Sequence, residues 1–250
     1  MIYLNKKFKI QKIIFFLFFL ICLGGFCYSL FHIILWKTDL DKNSKIKKEL
    51  EEKVKVNKED NHYIIDFLSL KKDNLDTIGY IKVNGTNINY IVVQGKDNDY
   101  YLNHNFYKEY NRAGWIFLDY RNQLNEMDKN LIIYGHNMKD GSMFETLRNV
   151  LDKSWYENKD NYDVLFVTEK DEYHYQVFST YEIVAEDYYI TTNFNSDEEY
   201  LKFLNTLQGR SNKDYSVSLN KDDKILTLSS CLGDGKMRVV LHAKLIDQQK

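Results

Sequence analysis

Residues Ile225-Leu226-Thr227-Leu228-Ser229-Ser230-Cys231 form a short apolar run that ends in two hydroxyl side chains and a cysteine. The residue types predict a β-strand over Ile225–Ser229, and the thiol follows the end of this strand, where a loop can open to a substrate. The chain has three cysteines, and Cys231 is the only one outside the N-terminal apolar segment. It therefore has no partner for a disulfide among the residues that follow the apolar segment, and its thiol is a candidate nucleophile.

Similar short runs, rich in Ile, Val, Tyr and Phe, recur from residue 77 to residue 245. The chain contains no proline, so its turns depend on Gly, Asn and Asp, and Asn84-Gly85 is the clearest turn signal. This pattern is typical of a β-rich domain. The predicted strands are Ile78–Val83, Ile88–Val93, Trp115–Leu118, Leu131–Tyr134, Val164–Thr168, Tyr173–Glu182, Ile225–Ser229 and Val239–Leu245.

Two helices are predicted to interrupt these strands. The first covers 142–151, where apolar residues are spaced for one helical face. The second covers 196–207, where Ser196 and Glu199 fit a capping box and an apolar stripe follows. Both stripes predict packing against the sheet and not a functional site.

Residues 13–36 form 24 positions without a formal charge. A helix of this length covers about 36 Å, which exceeds the roughly 30 Å of a bilayer's hydrocarbon core. A cleaved signal peptide is the alternative, but its apolar region is usually only about 7–15 residues long and ends in an A-x-A-like site. Four lysines lie in residues 1–12, so we expect a cytoplasmic tail there, a single-pass anchor over 13–36 and an extracellular C-terminal part.

Residues 37–74 connect this anchor to the β-rich domain, which we assign to 75–250. The first half is rich in Lys and Glu and predicts a solvated helix or stalk that includes Ile46 and Leu50. The second half predicts an amphipathic helix that includes Ile64 and docks on the domain.

Composition excludes two classes of protein. Apolar residues make up 44% of the chain, which is enough for a sizeable core, so disorder throughout is excluded. Charged residues make up 28% with a formal net charge of only −2, which argues against a nucleic-acid binder that neutralises phosphates.

A base and a fixed positive charge accompany the candidate thiol. His136 follows the predicted strand Leu131–Tyr134, and Arg238 begins the run that leads into Val239–Leu245. A thiolate needs a neighbouring imidazole or cation, His136 can also return a proton to a departing amine, and the guanidinium of Arg238 can stabilise an oxyanion. Each residue also has a structural interpretation, as core filler, turn former or strand-edge charge. Residue types alone do not choose between these interpretations.

The motifs around these three residues resemble the signature of the sortases. The stretch Thr227-Leu228-Ser229-Ser230-Cys231 resembles their T-L-x-T-C motif, Tyr134-Gly135-His136-Asn137 resembles the upstream histidine segment, and Arg238 resembles the downstream arginine. Ser230 stands where the motif has threonine. The interval from Cys231 to Arg238, Leu-Gly-Asp-Gly-Lys-Met, is shorter than expected for class B members.

Other parts of the chain nevertheless resemble class B sortases in particular. The predicted helix before the cysteine strand is a class B feature. The resemblance implies a mostly β fold, a closed eight-stranded sortase-type barrel with peripheral helices, preceded by an N-terminal helical region and one transmembrane helix. The segments that resemble class B are 74–83, 93–104, 114–122 and 196–207.

The resemblance implies a membrane-anchored transpeptidase of the Gram-positive cell surface. Cys231 would attack a carbonyl in the C-terminal sorting motif of an exported protein, and an amine of a cell-wall peptidoglycan precursor would resolve the thioester. His136 would be the general acid and base, and Arg238 would stabilise the oxyanion and bind the sorting motif. No metal, organic cofactor or nucleic acid is implied. The residues expected to bind substrate are Thr227, Ser229, Ser230 and Asn137.

Three alternatives remain open at this point. A cysteine peptidase would hydrolyse the same kind of bond, although a papain-like enzyme places cysteine before histidine, and here His136 precedes Cys231. A class B-like pilin polymerase would give a polymerised pilus and not a wall-anchored protein. A non-catalytic surface scaffold would keep Cys231 for structure. Asp234 lies between the cysteine and the arginine, and its role is left open.

Overall fold

The computed structural model describes residues 2–57, 62–125, 127–232 and 236–249, with side chains for 12–57, 62–125, 127–230 and 236–249. The chain divides into two compact units, Met1–Lys42 and Asn43–Lys250.

Helix α1 runs over Ile2–Glu51, and its part up to Lys42 forms the first unit. From Lys12 onward, this helix contains a stretch that is long and apolar enough to cross a membrane, and none of its most apolar part is buried in the protein. Large side chains such as Phe15 and Ile21 are 77% and 73% exposed. Exposing such an apolar surface to water is unfavourable, so the helix fits a single-pass membrane anchor.

The second unit is built around a barrel. A two-stranded sheet of β1 (Val54–Val56) and β2 (Tyr63–Ile65) precedes it. Among the described residues, eight strands then close in the order β10-β8-β7-β3-β4-β5-β6-β9, with parallel pairing only between β4 and β5 and between β6 and β9. These strands are β3 (Thr77–Val83), β4 (Asn89–Val93), β5 (Phe117–Leu118), β6 (Asn130–Gly135), β7 (Asp163–Thr168), β8 (Glu172–Val184), β9 (Ile225–Leu232) and β10 (Met237–Gln249).

All eight predicted strands are present, and the mostly β, closed eight-stranded fold is confirmed. One boundary matters for the chemistry. Cys231 was expected beyond the end of its strand, but β9 continues to Leu232, because it remains paired with β10 as far as Met237. The backbone of Cys231 is therefore paired with β10, whereas the pairing of β9 with β6 ends one residue earlier, at Ser230.

The linker between anchor and barrel differs from the expected stalk and amphipathic helix. Ile46 and Leu50 are 5% and 2% exposed, so this part of α1 is packed and not solvated. Ile64 lies in strand β2, where β-branched residues are favoured. The helix that follows, α2, is only Phe67–Asp73. Asp66 begins it by accepting a hydrogen bond from the backbone N–H of Ser69 at 2.9 Å.

The helix predicted over 142–151 is shorter and tighter than expected. It is a 3-10 helix over Glu145–Leu151, followed by the one-turn helix α3 (Lys153–Tyr156). Met143 has a φ of 56°, which a right-handed helix cannot contain, and its backbone N–H donates to the hydroxyl of Tyr90 at 2.8 Å. The helix therefore starts only after this residue.

Helix α4 (Asp197–Gly209) confirms the helix predicted over 196–207. Ser196 caps it by accepting from the backbone N–H of Glu199 at 3.1 Å, which is half of a capping box. The other half is absent, because the carboxylate of Glu199 accepts from the backbone N–H of Asn195 instead. The predicted apolar stripe is buried in a core that also contains side chains of β8, β9 and β10; its residues are Tyr200, Phe203, Leu204 and Leu207.

A fully buried histidine lies in the wall of the barrel. The Nδ1–H of His242 donates to Thr227 Oγ1 at 2.8 Å, and this hydroxyl donates to Asn130 Oδ1 at 2.7 Å. The Nε2 of His242 accepts from the hydroxyl of Tyr181 at 2.9 Å. Burial, with a smaller repulsion from Arg210, lowers the pKa of His242 to about 3, so the ring is neutral at ordinary pH.

Acidification from pH 6.5 to pH 5 is expected to lower the free energy of unfolding by about 2 kcal/mol through His242. The ordinary pKa of histidine is 6.5, so the unfolded chain takes up a proton in this range and the folded chain does not. The stabilisation is thus present above pH 6.5 and is lost as the pH falls toward 3. Thermal unfolding at both pH values checks this. His242→Gln should lose this part of the pH dependence, and His104→Gln should keep it; an unchanged dependence in His242→Gln contradicts the assignment.

Candidate active site

Strands β6, β9 and β10 lie side by side and bring the three predicted catalytic positions together. β6 runs parallel to β9 with Gly135 opposite Ser230, and His136 follows Gly135 directly. β9 runs antiparallel to β10 with Cys231 opposite Arg238. The three positions therefore lie on, or directly after, adjacent strands at one end of the barrel.

The cysteine itself is located by its backbone. The side chain of Cys231 lies outside the described residues, so strand register gives its position. Residues 233–235 also lie outside them, and the open question of Asp234 falls on this segment.

The imidazole of His136 is half-buried and is oriented by a backbone carbonyl. Its Nε2 lies 2.9 Å from the carbonyl oxygen of Leu102, and since a carbonyl oxygen only accepts, Nε2 carries the proton. In the neutral ring, Nδ1 is then the nitrogen that can accept a proton. Protonation at Nδ1 strengthens the bond to Leu102, because the donor then belongs to a cation. The ring is thus arranged to take up a proton and to return it.

The guanidinium of Arg238 supplies the fixed positive charge of this region. The side chain is half-buried, and Nη1 donates to the carbonyl oxygen of Met237 at 3.0 Å. Arginine stays protonated at all physiological pH values and presents a planar set of donors. Such a group can stabilise negative charge but cannot act as a base.

A cavity of about 400 Å³ opens between these strand ends and two loops. One loop, 94–116, connects β4 to β5, and the other, 185–196, connects β8 to α4. The volume lies in the range of sites that enclose small ligands or short peptide segments. The described residues that line it are Asn98, Leu102, Phe117, Tyr134, Gly135, His136, Ala185, Glu186, Asp187, Tyr189, Ile190, Ser229 and Arg238.

Of the four residues expected to bind substrate, Ser229 lies in the cavity wall. It is 3% exposed, and its hydroxyl oxygen lies 3.0 Å from that of Tyr189. Asn137 is half-buried and forms an isolated β-bridge with Met143 beside the site. Asn137 is not among the described lining residues.

Thr227 and Ser230 are directed to the protein interior. The hydroxyl of Thr227 is fully buried between Asn130 and His242, as given above, and Ser230 is 1% exposed and donates to the carbonyl oxygen of Phe144 at 3.2 Å. The expectation that these two hydroxyls contact substrate finds no support in this geometry. In this structure, they hold β9 against neighbouring elements.

Several lining residues were not singled out from the sequence as site residues. Asn98 and Leu102 lie in 93–104, one of the segments that resemble class B, so a signal for them was present. Tyr189 and Ile190 lie in loop 185–196, where the sequence shows no motif. This loop lines the cavity because β8 ends at Val184, beside the site, and the loop begins there.

Gly135→Ala is expected to lower the free energy of unfolding by about 1–3 kcal/mol and to reduce activity by displacing His136. A Cβ at this position would lie 2.5 Å from Cδ1 of Ile116 and 2.6 Å from Cγ of Phe144, both fully buried. Thermal unfolding and peptide cleavage measure the two effects. Gly209→Ala is the matched control, because a Cβ there meets nothing within 4 Å. Equal stability of the two variants would contradict the packing argument.

Comparison with known proteins identifies the family. Residues 81–246 match the sortase domain model. The chain belongs to the sortase family. Sortase B of Staphylococcus aureus (strain NCTC 8325 / PS 47) is 39% identical over 194 residues, which cover 76% of this chain and 79% of that protein.

Solved structures of sortase B share the fold of this sortase domain. The crystal structure of Bacillus anthracis sortase B in complex with AAEK1 is 37% identical with a TM-score of 0.74, and the match covers 84% of this chain and 99% of that one. A Staphylococcus aureus sortase B-substrate complex is 40% identical with a TM-score of 0.68, covering 72% and 84%. This chain is therefore a sortase-type cysteine transpeptidase that most resembles class B.

Proposed function

We propose that this sortase is a membrane-anchored enzyme that cleaves a C-terminal sorting motif of exported proteins and transfers the acyl group to a cell-wall peptide amine. The observation that carries the proposal is the register of three adjacent strands, which places Cys231 opposite Arg238 and the end of β6, directly before His136, beside Ser230 at one cavity. Positions 229 and 231 share a face of β9, and Ser229 lines the cavity.

In the first half of the reaction, the thiolate of Cys231 attacks the carbonyl carbon of the scissile bond. The electron pair moves to the carbonyl oxygen, and Arg238 donates hydrogen bonds to this oxyanion. As the oxyanion collapses, the C–N bond breaks and the protonated Nδ1 of His136 gives its proton to the leaving amine. A thioester on Cys231 remains.

In the second half, a neutral amine attacks the thioester carbonyl. Nδ1 of His136 takes a proton from the attacking nitrogen, and Arg238 again stabilises the oxyanion. The C–S bond then breaks, which gives a new amide bond and restores the thiolate and imidazolium. The bond from Nε2 to Leu102 stabilises the cationic ring in both halves.

The cavity is a suitable site for the sorting motif. It lies directly beside positions 136 and 238 and combines apolar walls such as Ile190 with polar groups such as Asn98 and Ser229. The solved Staphylococcus aureus relative is a sortase B-substrate complex, which supports the binding of a substrate by this fold.

The first unit supports membrane attachment. We assign the span to residues 13–36, the cytoplasmic tail to 1–12, the linker to 37–74 and the catalytic domain to 75–250. Helix α1 is long and apolar enough for the span, and sortases act at the cell surface. The lysines of the tail favour a cytoplasmic N-terminus and an extracellular catalytic domain.

The direct experiment incubates the full chain in detergent micelles with a pentapeptide library and a set of candidate amines, and reads products by mass spectrometry. The proposal predicts cleavage at one peptide bond and a ligation product that contains the amine. Hydrolysis that persists at saturating amine would favour the cysteine peptidase. Neither cleavage nor ligation with any peptide would favour the non-catalytic scaffold.

A further inference from the structure

A fully buried carboxylate lies behind the wall of the cavity. Asp119 follows strand β5 directly, and its side chain is 0% exposed. Its backbone N–H donates to the carbonyl oxygen of Ile132 in β6 at 2.8 Å, so the residue is fixed to the barrel. A buried carboxylate is stable only where hydrogen-bond donors surround it, so its donors show which parts of the fold it connects.

Two of the donors form a bidentate ion pair. Nε of Arg121 donates to Oδ1 of Asp119 at 2.8 Å, and Nη2 donates to Oδ2 at 2.7 Å. The backbone N–H of Arg121 adds a third bond to Oδ1 at 2.9 Å. Burial alone would raise the pKa of Asp119, but the hydrogen bonds from Arg121, Tyr134 and Asn98 outweigh it, and the pKa lies below its ordinary value. The group is therefore an anion at neutral pH.

The remaining donors to Asp119 are side chains that also line the cavity, and they come from different parts of the chain. Nδ2 of Asn98, in loop 94–116, donates to Oδ2 of Asp119 at 2.9 Å. The hydroxyl of Tyr134, in β6, donates to the same oxygen at 2.9 Å. Nη2 of Arg121 also donates to the carbonyl oxygen of Ile190, in loop 185–196, at 3.0 Å. Asn98, Tyr134 and Ile190 all line the cavity.

We propose, on the basis of the function given above, that Asp119 is a positioning residue for the sorting motif, which fixes both loops and β6 around the peptide through Asn98, Tyr134 and Arg121. A carboxylate suits this position because it only accepts, and every one of these neighbours donates to it. An amide in its place presents N–H groups to at least one donor. The cavity would then lose a defined wall, while strands β6, β9 and β10 would still hold positions 136, 231 and 238 together.

The test separates peptide binding from chemistry. In single-turnover reactions of the full chain with excess peptide, Asp119→Asn is expected to raise the half-saturating peptide concentration by roughly tenfold or more. The limiting acylation rate should stay within about threefold of wild type, because an altered wall weakens ground state and transition state alike. Alkylation of Cys231 by iodoacetamide should also be unchanged. A fall in the limiting rate with unchanged half-saturation overturns the proposal.

Two further variants separate positioning from general destabilisation. Arg121→Gln removes a side chain that is 34% exposed and should raise the half-saturating concentration about threefold or more, so the proposal is tested even if Asp119→Asn does not fold. Glu172→Gln is the matched control. Glu172 is a buried carboxylate, 2% exposed, whose Oε1 lies 3.0 Å from Nε2 of His174, and it is not among the described residues that line the cavity. It should lower the unfolding temperature without changing half-saturation. An equal rise in half-saturation in Glu172→Gln overturns the proposal.

The outcome also distinguishes this proposal from the function on which it is built. If wild type forms no acyl adduct with any peptide, the transpeptidase function fails and the role of Asp119 fails with it. If wild type forms the adduct and neither Asp119→Asn nor Arg121→Gln changes half-saturation, only the role of Asp119 is contradicted.

Discussion

Cys231→Ala is expected to lower kcat/KM for peptide cleavage by about 10⁴-fold or more and to abolish ligation to an amine. The thiolate is the group that forms and releases the acyl intermediate, and alanine offers no nucleophile. The variant is made in a parent with Cys22→Ala and Cys27→Ala, so that Cys231 is the single thiol of the parent chain. Cleavage of a labelled sorting-motif peptide measures the effect.

The parent serves as the control for this variant. Cys22 and Cys27 lie exposed on the apolar part of α1, so the parent should keep wild-type activity. Cys231→Ser should also be inactive, because a hydroxyl of similar size is far less acidic than a thiol. Retention of more than about 1% of parental activity in Cys231→Ala would exclude the cysteine as nucleophile.

His136→Gln is expected to lower kcat/KM by about 10³-fold and to flatten the dependence of rate on pH. The departing amine then has no proton donor and the attacking amine has no base. A glutamine N–H can still donate to the carbonyl oxygen of Leu102, so the loop that carries it is not released. Cleavage rates between pH 5 and pH 9 provide the measurement.

His174→Gln is the matched histidine control. His174 is half-buried, lies near the start of β8 and pairs with Asp163 and Glu172. The cavity lies beyond the other end of this 13-residue strand, so activity should stay within about twofold of wild type. An equal loss of activity in both variants would show that His136 acts through stability and not through proton transfer.

The strands were predictable from the sequence because each is a run of β-branched and aromatic residues bounded by turn signals. Asn84-Gly85 illustrates this, since Gly85 has a φ of 70° between β3 and β4. The start of helix α4 was predictable because Ser196 gives a local capping signal. These features depend on interactions between residues close in sequence.

The failures involve partners that lie outside the segment whose residue pattern gave the prediction. The spacing of 142–151 indicated a helix, but the hydrogen bond from Met143 to Tyr90 imposes a left-handed residue there. Ile64 reads as part of an amphipathic helix, yet pairing with Lys55 makes it a strand residue. Neither partner can be identified from local sequence.

The candidate site shows the same division. The catalytic roles of His136, Cys231 and Arg238 stay predictions, but the register of three adjacent strands gives a physical reason for their proximity. Thr227 was expected to bind substrate because it belongs to the motif, whereas its hydroxyl lies between Asn130 and His242 in the interior. The motif thus combines residues that hold the strand in place with the residue proposed to react, and the contacts of each side chain distinguish the two.

The central claim is that Cys231 carries the acyl group, and the most direct test is the intact mass of the full chain. The parent lacking Cys22 and Cys27 is incubated with a cleavable sorting-motif peptide, without added amine, and quenched in acid. We predict a mass increase equal to the acyl fragment, located on Cys231, removed by hydroxylamine and absent in Cys231→Ala. Peptide cleavage without any adduct on Cys231, or an adduct that persists in Cys231→Ala, would contradict this account.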